Sequence, residues 1–168
     1  MIIKNGNIAL HGSKHLITLD IETERGKIIS MGEDLHGTEV LDAEGLQIFP
    51  GAIDPHVHFN EPGFTGLEDF YHGSCEAVSG GVTTVIDMPC TSLPPVTSLE
   101  NLQKKLDVVG KRSVVDFGFF GGISAQRYHS GYRTAMQELS KYVLGFKSYF
   151  LSGMDSFRNC RYPSSVMC

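Results

Sequence analysis

The stretch Pro50-Gly51-Ala52-Ile53-Asp54-Pro55-His56-Val57-His58-Phe59-Asn60-Glu61-Pro62-Gly63 marks where this chain changes character. Ala52 to Phe59 reads as a strand, entered through Pro50-Gly51. Residues two apart in a strand point to the same side, so His56 and His58 set two imidazoles side by side at its C-terminal end. Imidazole is a good ligand for zinc and related metals. The C-terminal ends of strands are also where parallel α/β folds place their sites. A bare H-x-H also occurs as two polar residues that end a strand and do no chemistry. The flanking Asp54, the Pro-Gly lead-in and the buried strand favour the ligand reading.

Downstream of this stretch, strand and helix alternate at intervals of about thirty residues, as βαβ units require. Thr65-Gly66-Leu67-Glu68 fits a capping box, followed by Leu67, Phe70, Tyr71, Ser74, Ala77 and Val78 at helical spacing and a stop at Gly80-Gly81. Strand two is Val82 to Met88, and Pro94-Pro95 breaks the next loop. A second box, Thr97-Ser98-Leu99-Glu100, opens a helix with Leu99, Leu102, Leu106 and Val109 on one face, closed by Gly110. Strand three is Ser113 to Phe120, a weaker helix covers Tyr132 to Tyr142, and strand four is Val143 to Leu151. The strands are nearly continuous apolar runs, as expected of parallel strands covered on both faces. Pattern alone leaves a doubly wound sheet and a barrel open. Neither G-x-G-x-x-G nor G-x-x-x-x-G-K-[ST] follows any strand.

Upstream, residues 1–50 contain β-type runs at Ile2-Ile3, Asn7 to Leu10, His15 to Ile21, Lys27 to Met31, Glu39 to Leu41 and Leu46 to Phe49. Turn signals separate them at Asn5-Gly6, His11-Gly12, Glu24-Arg25-Gly26 and Ala43-Glu44-Gly45. This is a small β-unit, or part of one.

Lys147 is the second anomaly, because it lies inside the apolar run Val143 to Leu151. Burying an unpaired lysine charge is costly. Either the side chain snorkels outward, or its neutral amine has reacted with carbon dioxide to form a carbamate, whose two oxygens can bridge two metal ions. Asp87, at the end of strand two, reads as a carboxylate orienting a histidine or as a loop anchor. Asp116 is similarly ambiguous. His72 and His129 read as surface residues, and nothing places His11, His15 or His36 near the strand ends. Cys75 and Cys90 fall in apolar patterns and are expected as buried thiols rather than nucleophiles. Cys160 and Cys168 lie in a tail without periodicity.

Composition narrows the function classes. The 168 residues are 41% hydrophobic and 20% charged, so wholesale disorder is excluded. Fourteen Lys plus Arg against nineteen Asp plus Glu give a net charge of −5, which offers no basic footprint for nucleic acid or an anionic membrane. No apolar run approaches the ~20 residues needed to span a bilayer. The N-terminus lacks the order of a signal peptide, and no C-x-x-C pair is present, so a reduced cytoplasmic setting is expected.

Pro50 to Gly63, Gly80-Gly81-Val82-Thr83-Thr84-Val85-Ile86-Asp87-Met88-Pro89 and Gly145-Phe146-Lys147 together resemble the cyclic amidohydrolases: dihydroorotases, allantoinases and, more distantly, hydantoinases. The resemblance implies an α/β fold, with residues 51–152 as strands one to four of a (β/α)8 barrel and residues 1–50 as a β-sandwich portion. Residues 153–168 are then an irregular tail. It also implies two divalent metal ions, expected to be zinc, bridged by a hydroxide and by carboxylated Lys147, with His56 and His58 as first-strand ligands. The bridging hydroxide would open a small cyclic amide, and an aspartate would carry the proton to the leaving nitrogen. That aspartate and two further histidines come from later strands, so no residue within these 168 is assigned the catalytic role, and full-length relatives are expected to be homo-oligomers.

Asn60 stands where many dihydroorotases carry Arg, and it is assigned to substrate binding. An amide does not replace an Arg fork on a carboxylate, and Asn-Glu-Pro-Gly is the allantoinase-like form. A barrel needs about 250 residues. The chain therefore reads as a truncated or frame-shifted product, inactive alone and prone to self-association through its open strand edges. Two other readings stay open: a metal-free binding or structural member of the family, and a small independent α/β binding module.

Overall fold

The computed structural model describes residues 1–124 and 131–149. They fall into two compact units, Met1–Pro50 and a second that starts at Gly51.

The first unit is one sheet. Its strands are β1 (Ile2–Ile8), β2 (Ile17–Glu24), β3 (Lys27–Gly32), β4 (Val40–Asp42) and β5 (Gln47–Ile48). The order is β3-β2-β1-β4, with β5 also on β1. The hairpin pairs are antiparallel, whereas β4 and β5 run parallel to β1. Arg25 and Gly26 both take positive φ (50° and 73°), which suits the tight turn between β2 and β3. The expected turn at Asn5-Gly6 is instead a bulge inside β1. Asn5 takes φ 59° and the register shifts between Ile3 and Gly6. Long-range bonds hold the chain in the strand there: Asn5 N donates to Asp20 Oδ1 (2.9 Å) and Asn5 Nδ2 to Asp42 Oδ1 (3.0 Å).

The second unit alternates strand and helix: β6 (Ala52–Val57), α1 (Phe70–Ser79), β7 (Val82–Asp87), α2 (Leu99–Val109), β8 (Asp116–Phe119), β9 (Gly121–Ile123), α3 (Tyr132–Leu139) and β10 (Phe146–Ser148). The pairs β6-β7, β7-β8 and β9-β10 are all parallel. Phe120 separates β8 from β9. Hydrogen bonds from Leu144 N to Phe119 O and from Gly121 N to Gly145 O carry the pairing across to β10's lead-in. Strand order therefore follows chain order without the reversal that defines a doubly wound sheet.

Phe59, Phe70, Val85, Val96, Leu102, Val109, Phe119 and Leu139 form the buried core beside these strands. The Phe70 ring meets Phe59 edge-on at 5.1 Å. A Cβ at Gly73 would sit 2.5 Å from the Phe59 ring, so only glycine lets α1 approach β6's end this closely.

Both capping boxes shift. Helix α1 starts at Phe70, where the Asp69 side chain accepts from His72 N at 2.8 Å, and Leu67 is left exposed. The cause is long-range: Glu61 takes the Phe70 N–H at 3.0 Å, which fixes the first turn there. Helix α2 is capped by Ser98, one residue after Thr97, and Glu100 pairs with Lys104. No helix among the described residues is long and apolar enough to cross a membrane.

Candidate functional site

The end of β6 presents His56 and His58 with ring centroids 5.2 Å apart and planes tilted by 40°. His56 is exposed, and its N–H donates to Asp54 Oδ1 at 3.0 Å. His58 is half-buried. Desolvation holds its ring below the usual histidine range, helped by the charges of Lys147 and His56. A neutral imidazole is the form that ligates a metal.

Lys147 comes from β10, and its Nζ lies 3.1 Å from His56 Nε2, across 91 residues of chain. These two strands lie at opposite ends of the parallel run. At ~4.8 Å per interval a flat sheet would hold their backbones ~14 Å apart. The two side chains reach toward each other across that span. The Lys147 amine also stands 5.2 Å over the Tyr149 ring. Tyr149 OH is 3.1 Å from Cys90 Sγ, which is in turn 3.8 Å from His58 Nδ1. Burial, with the Cys90 thiol beside it, pushes the Tyr149 hydroxyl up to about 12.

Among the described residues no three His, Cys, Asp or Glu side chains converge as a metal cluster. The donor set is two imidazoles with a lysine amine. As an ammonium that lysine repels a divalent cation. As an anionic carbamate it completes a set that suits zinc or a related ion.

A layer of buried charge lies beneath. Asp87 is fully buried: Oδ1 accepts from Phe59 N at 2.8 Å and Oδ2 from Lys105 Nζ at 2.5 Å. Both Asp87 oxygens are engaged away from the imidazole rings, one of them on the peptide that follows His58. Burial raises its carboxyl to about 6, against the opposing attraction of Lys105. Lys105 is itself fully buried, 5.7 Å and 5.4 Å from the Phe70 and Phe119 ring centres. Buried Glu61 pairs with Arg112, which also lies 3.8 Å from Asp69. Asn60 is half-buried and donates through Nδ2 to His58 O at 3.2 Å.

The remaining candidates scatter. Asp116, His11, His15 and His36 are exposed, and exposed His72 is engaged with Asp69 at 2.9 Å. Cys75 is half-buried, not buried as expected; the buried positions of α1 are Phe70, Gly73 and Ser74. Cys90 is buried as expected. His129, Cys160, Cys168 and residues 153–168 as a whole lie outside the described residues.

Sequence reasoning missed Lys105, Tyr149 and the position of Cys90 at the site. Two of these carried a signal. Lys105 falls three residues after Leu102, on the apolar face of α2, and Tyr149 falls two after Lys147, on the same side of its strand.

Residues 47–154 match the profile of the amidohydrolase family. The chain belongs to that family. It is 45% identical over 125 residues to a dihydroorotase of Methanosarcina acetivorans, covering 73% of this chain and 26% of that one. It is 37% identical over 161 residues to an allantoinase of Desulfitobacterium hafniense, covering 94% of this chain and 34% of that one. Among solved structures, an L-hydantoinase (dihydropyrimidinase) from Arthrobacter aurescens superimposes with a TM-score of 0.80 at 28% identity, over 94% of this chain and 35% of that one. The chain thus spans between a quarter and about a third of the length of these amidohydrolase relatives.

Proposed function

We propose that His56, His58 and Lys147 are ligands from the first and fourth strands of a divalent-metal centre in an enzyme that hydrolyses a cyclic amide. The observation that carries this reading is the 3.1 Å approach of Lys147 Nζ to His56 Nε2. Two strand ends far apart in sequence converge there on one donor set. The strand order without reversal supports reading residues 51–152 as the first four units of a (β/α)8 barrel, and residues 1–50 are read as part of a β-sandwich.

Lys147 acts after carboxylation. Its neutral amine bonds to the carbon of carbon dioxide, and the displaced N–H proton passes to His56 Nε2 or to water. The product is an anionic carbamate with two oxygen donors. When bound, divalent ions supply an acidified water and polarise the amide carbonyl. The chain's own residues hold and orient: His56 and His58 through ring nitrogens, with Asp54 and Asp87 fixing the backbone on either side. Asn60, next to the strand end, is assigned to the substrate. The substrate class is a cyclic amide of the allantoin or dihydroorotate type, with Asn-Glu-Pro-Gly and the absence of Arg at position 60 favouring the former.

Zinc titration of the full chain by calorimetry, in bicarbonate, tests the reading, together with intact-mass measurement under non-denaturing conditions. Wild type is expected to bind zinc and carry the mass of one carbon dioxide, and His56→Ala/His58→Ala to lose the binding. A wild-type chain that binds no zinc and takes up no carbon dioxide overturns it.

A further inference from the structure

We infer that Asp87 is a positioning residue for His58: one carboxylate oxygen accepts from the Phe59 N–H, the peptide that follows His58, and Lys105 pairs the charge of the other. The inference rests on the metal-centre reading of His56 and His58. The β6 ladder ends at Val57, whose carbonyl accepts from Met88 N at 3.0 Å. One peptide further on, Phe59 N donates to Asp87 Oδ1 at 2.8 Å. His58 is therefore bracketed by two backbone anchors, both supplied by the end of β7. Its ring is held at the mouth of the site although its residue has left the strand.

In this apolar surrounding the carboxylate's other oxygen needs a partner for its charge. Lys105 supplies it at 2.5 Å. Lys105 reaches from α2 through the apolar core, where Asp87 and Lys105 are both 0% exposed. Replacing a buried ion pair with apolar groups of similar volume is often neutral for stability. Folding alone does not call for a polar pair here, whereas holding the Phe59 N–H calls for a directional acceptor.

Two double variants of the full chain separate positioning from a merely structural role. Lys105→Met/Asp87→Asn removes both charges and keeps an acceptor for Phe59 N. Lys105→Met/Asp87→Leu removes the acceptor as well. Both are expected to fold, as read by urea unfolding. The Leu variant is expected to lose about 10- to 100-fold in zinc affinity, the range for partners that orient ligands, while the Asn variant keeps wild-type affinity. A folded Leu variant with wild-type affinity overturns the inference. Amide hydrogen exchange at Phe59 decides it without zinc: protection is expected in wild type and the Asn variant. An unprotected Phe59 amide in wild type overturns the inference, even where the Leu variant does not fold. Absence of zinc binding by wild type overturns the metal-centre reading instead and leaves the exchange result to decide the clamp.

Discussion

The two units bury charge to different extents. The sheet of residues 1–50 keeps one buried acid, Asp20, whose carboxyl is held below the usual range by the backbone N–H of Asn5 and of Leu35 and by Lys4. It leaves Ile28, Ile29, Val40, Leu41, Leu46 and Phe49 more than half exposed. The strand-helix unit buries Asp87, Lys105 and Glu61 within a few residues of the H-x-H strand or against its neighbours. Burying charge costs stability unless each group is paired. The unit that carries the candidate site accepts that cost, and each buried charge there ends on a backbone N–H or a counter-charge. In the first unit the demanding feature is the backbone conformation at Asn5, whose N–H its one buried carboxylate accepts.

That contrast can be broken most sharply at Asp87. Asp87→Leu alone strands the buried Lys105 and is expected to cost about 3–5 kcal/mol in urea unfolding. A loss under about 1 kcal/mol would mean the buried charge is not what distinguishes this unit.

The second effect is a pH dependence. In the folded chain Asp87 keeps its proton up to about pH 6, against an ordinary value of 3.8. Between those values the folded state binds a proton that the unfolded state has released. The contribution of this group is therefore greatest below 3.8, declines as pH rises to about 6, and is level above. Stability of wild type relative to Asp87→Asn, followed by denaturation from pH 4 to 7, should show that decline. A flat difference would remove the raised carboxyl from the account.

The smallest effect belongs to the first unit. Asn5→Ala places a Cβ-bearing residue without a polar side chain at φ 59° and is expected to cost about 1–2 kcal/mol. Asn5→Gly should cost less, since glycine adopts that conformation freely. Equal losses in the two variants would shift the weight from backbone conformation to the Asn5–Asp42 side-chain bond.

Much of the strand-helix unit was legible along the chain because apolar periodicity and turn residues act locally. Val82 to Met88 and Leu99 to Val109 were found nearly to the residue by these signals. The start of α1 was not, because Glu61 and Asp69 compete with Thr65 for the first turn and only the folded loop decides between them. Asn5-Gly6 carries turn chemistry, yet Asp20 and Asp42 reach in from other strands and hold it as a bulge.

For the candidate site, the sequence alone singled out the candidate donors. H-x-H at a strand end and a lysine inside an apolar run are local anomalies with few chemical explanations. Only the tertiary structure decided that they meet. The approach of Lys147 to His56, the Cys90–Tyr149 contact and the Asp87–Lys105 pair each join side chains from different elements. Such contacts depend on how the elements between them pack, which no short stretch of sequence encodes.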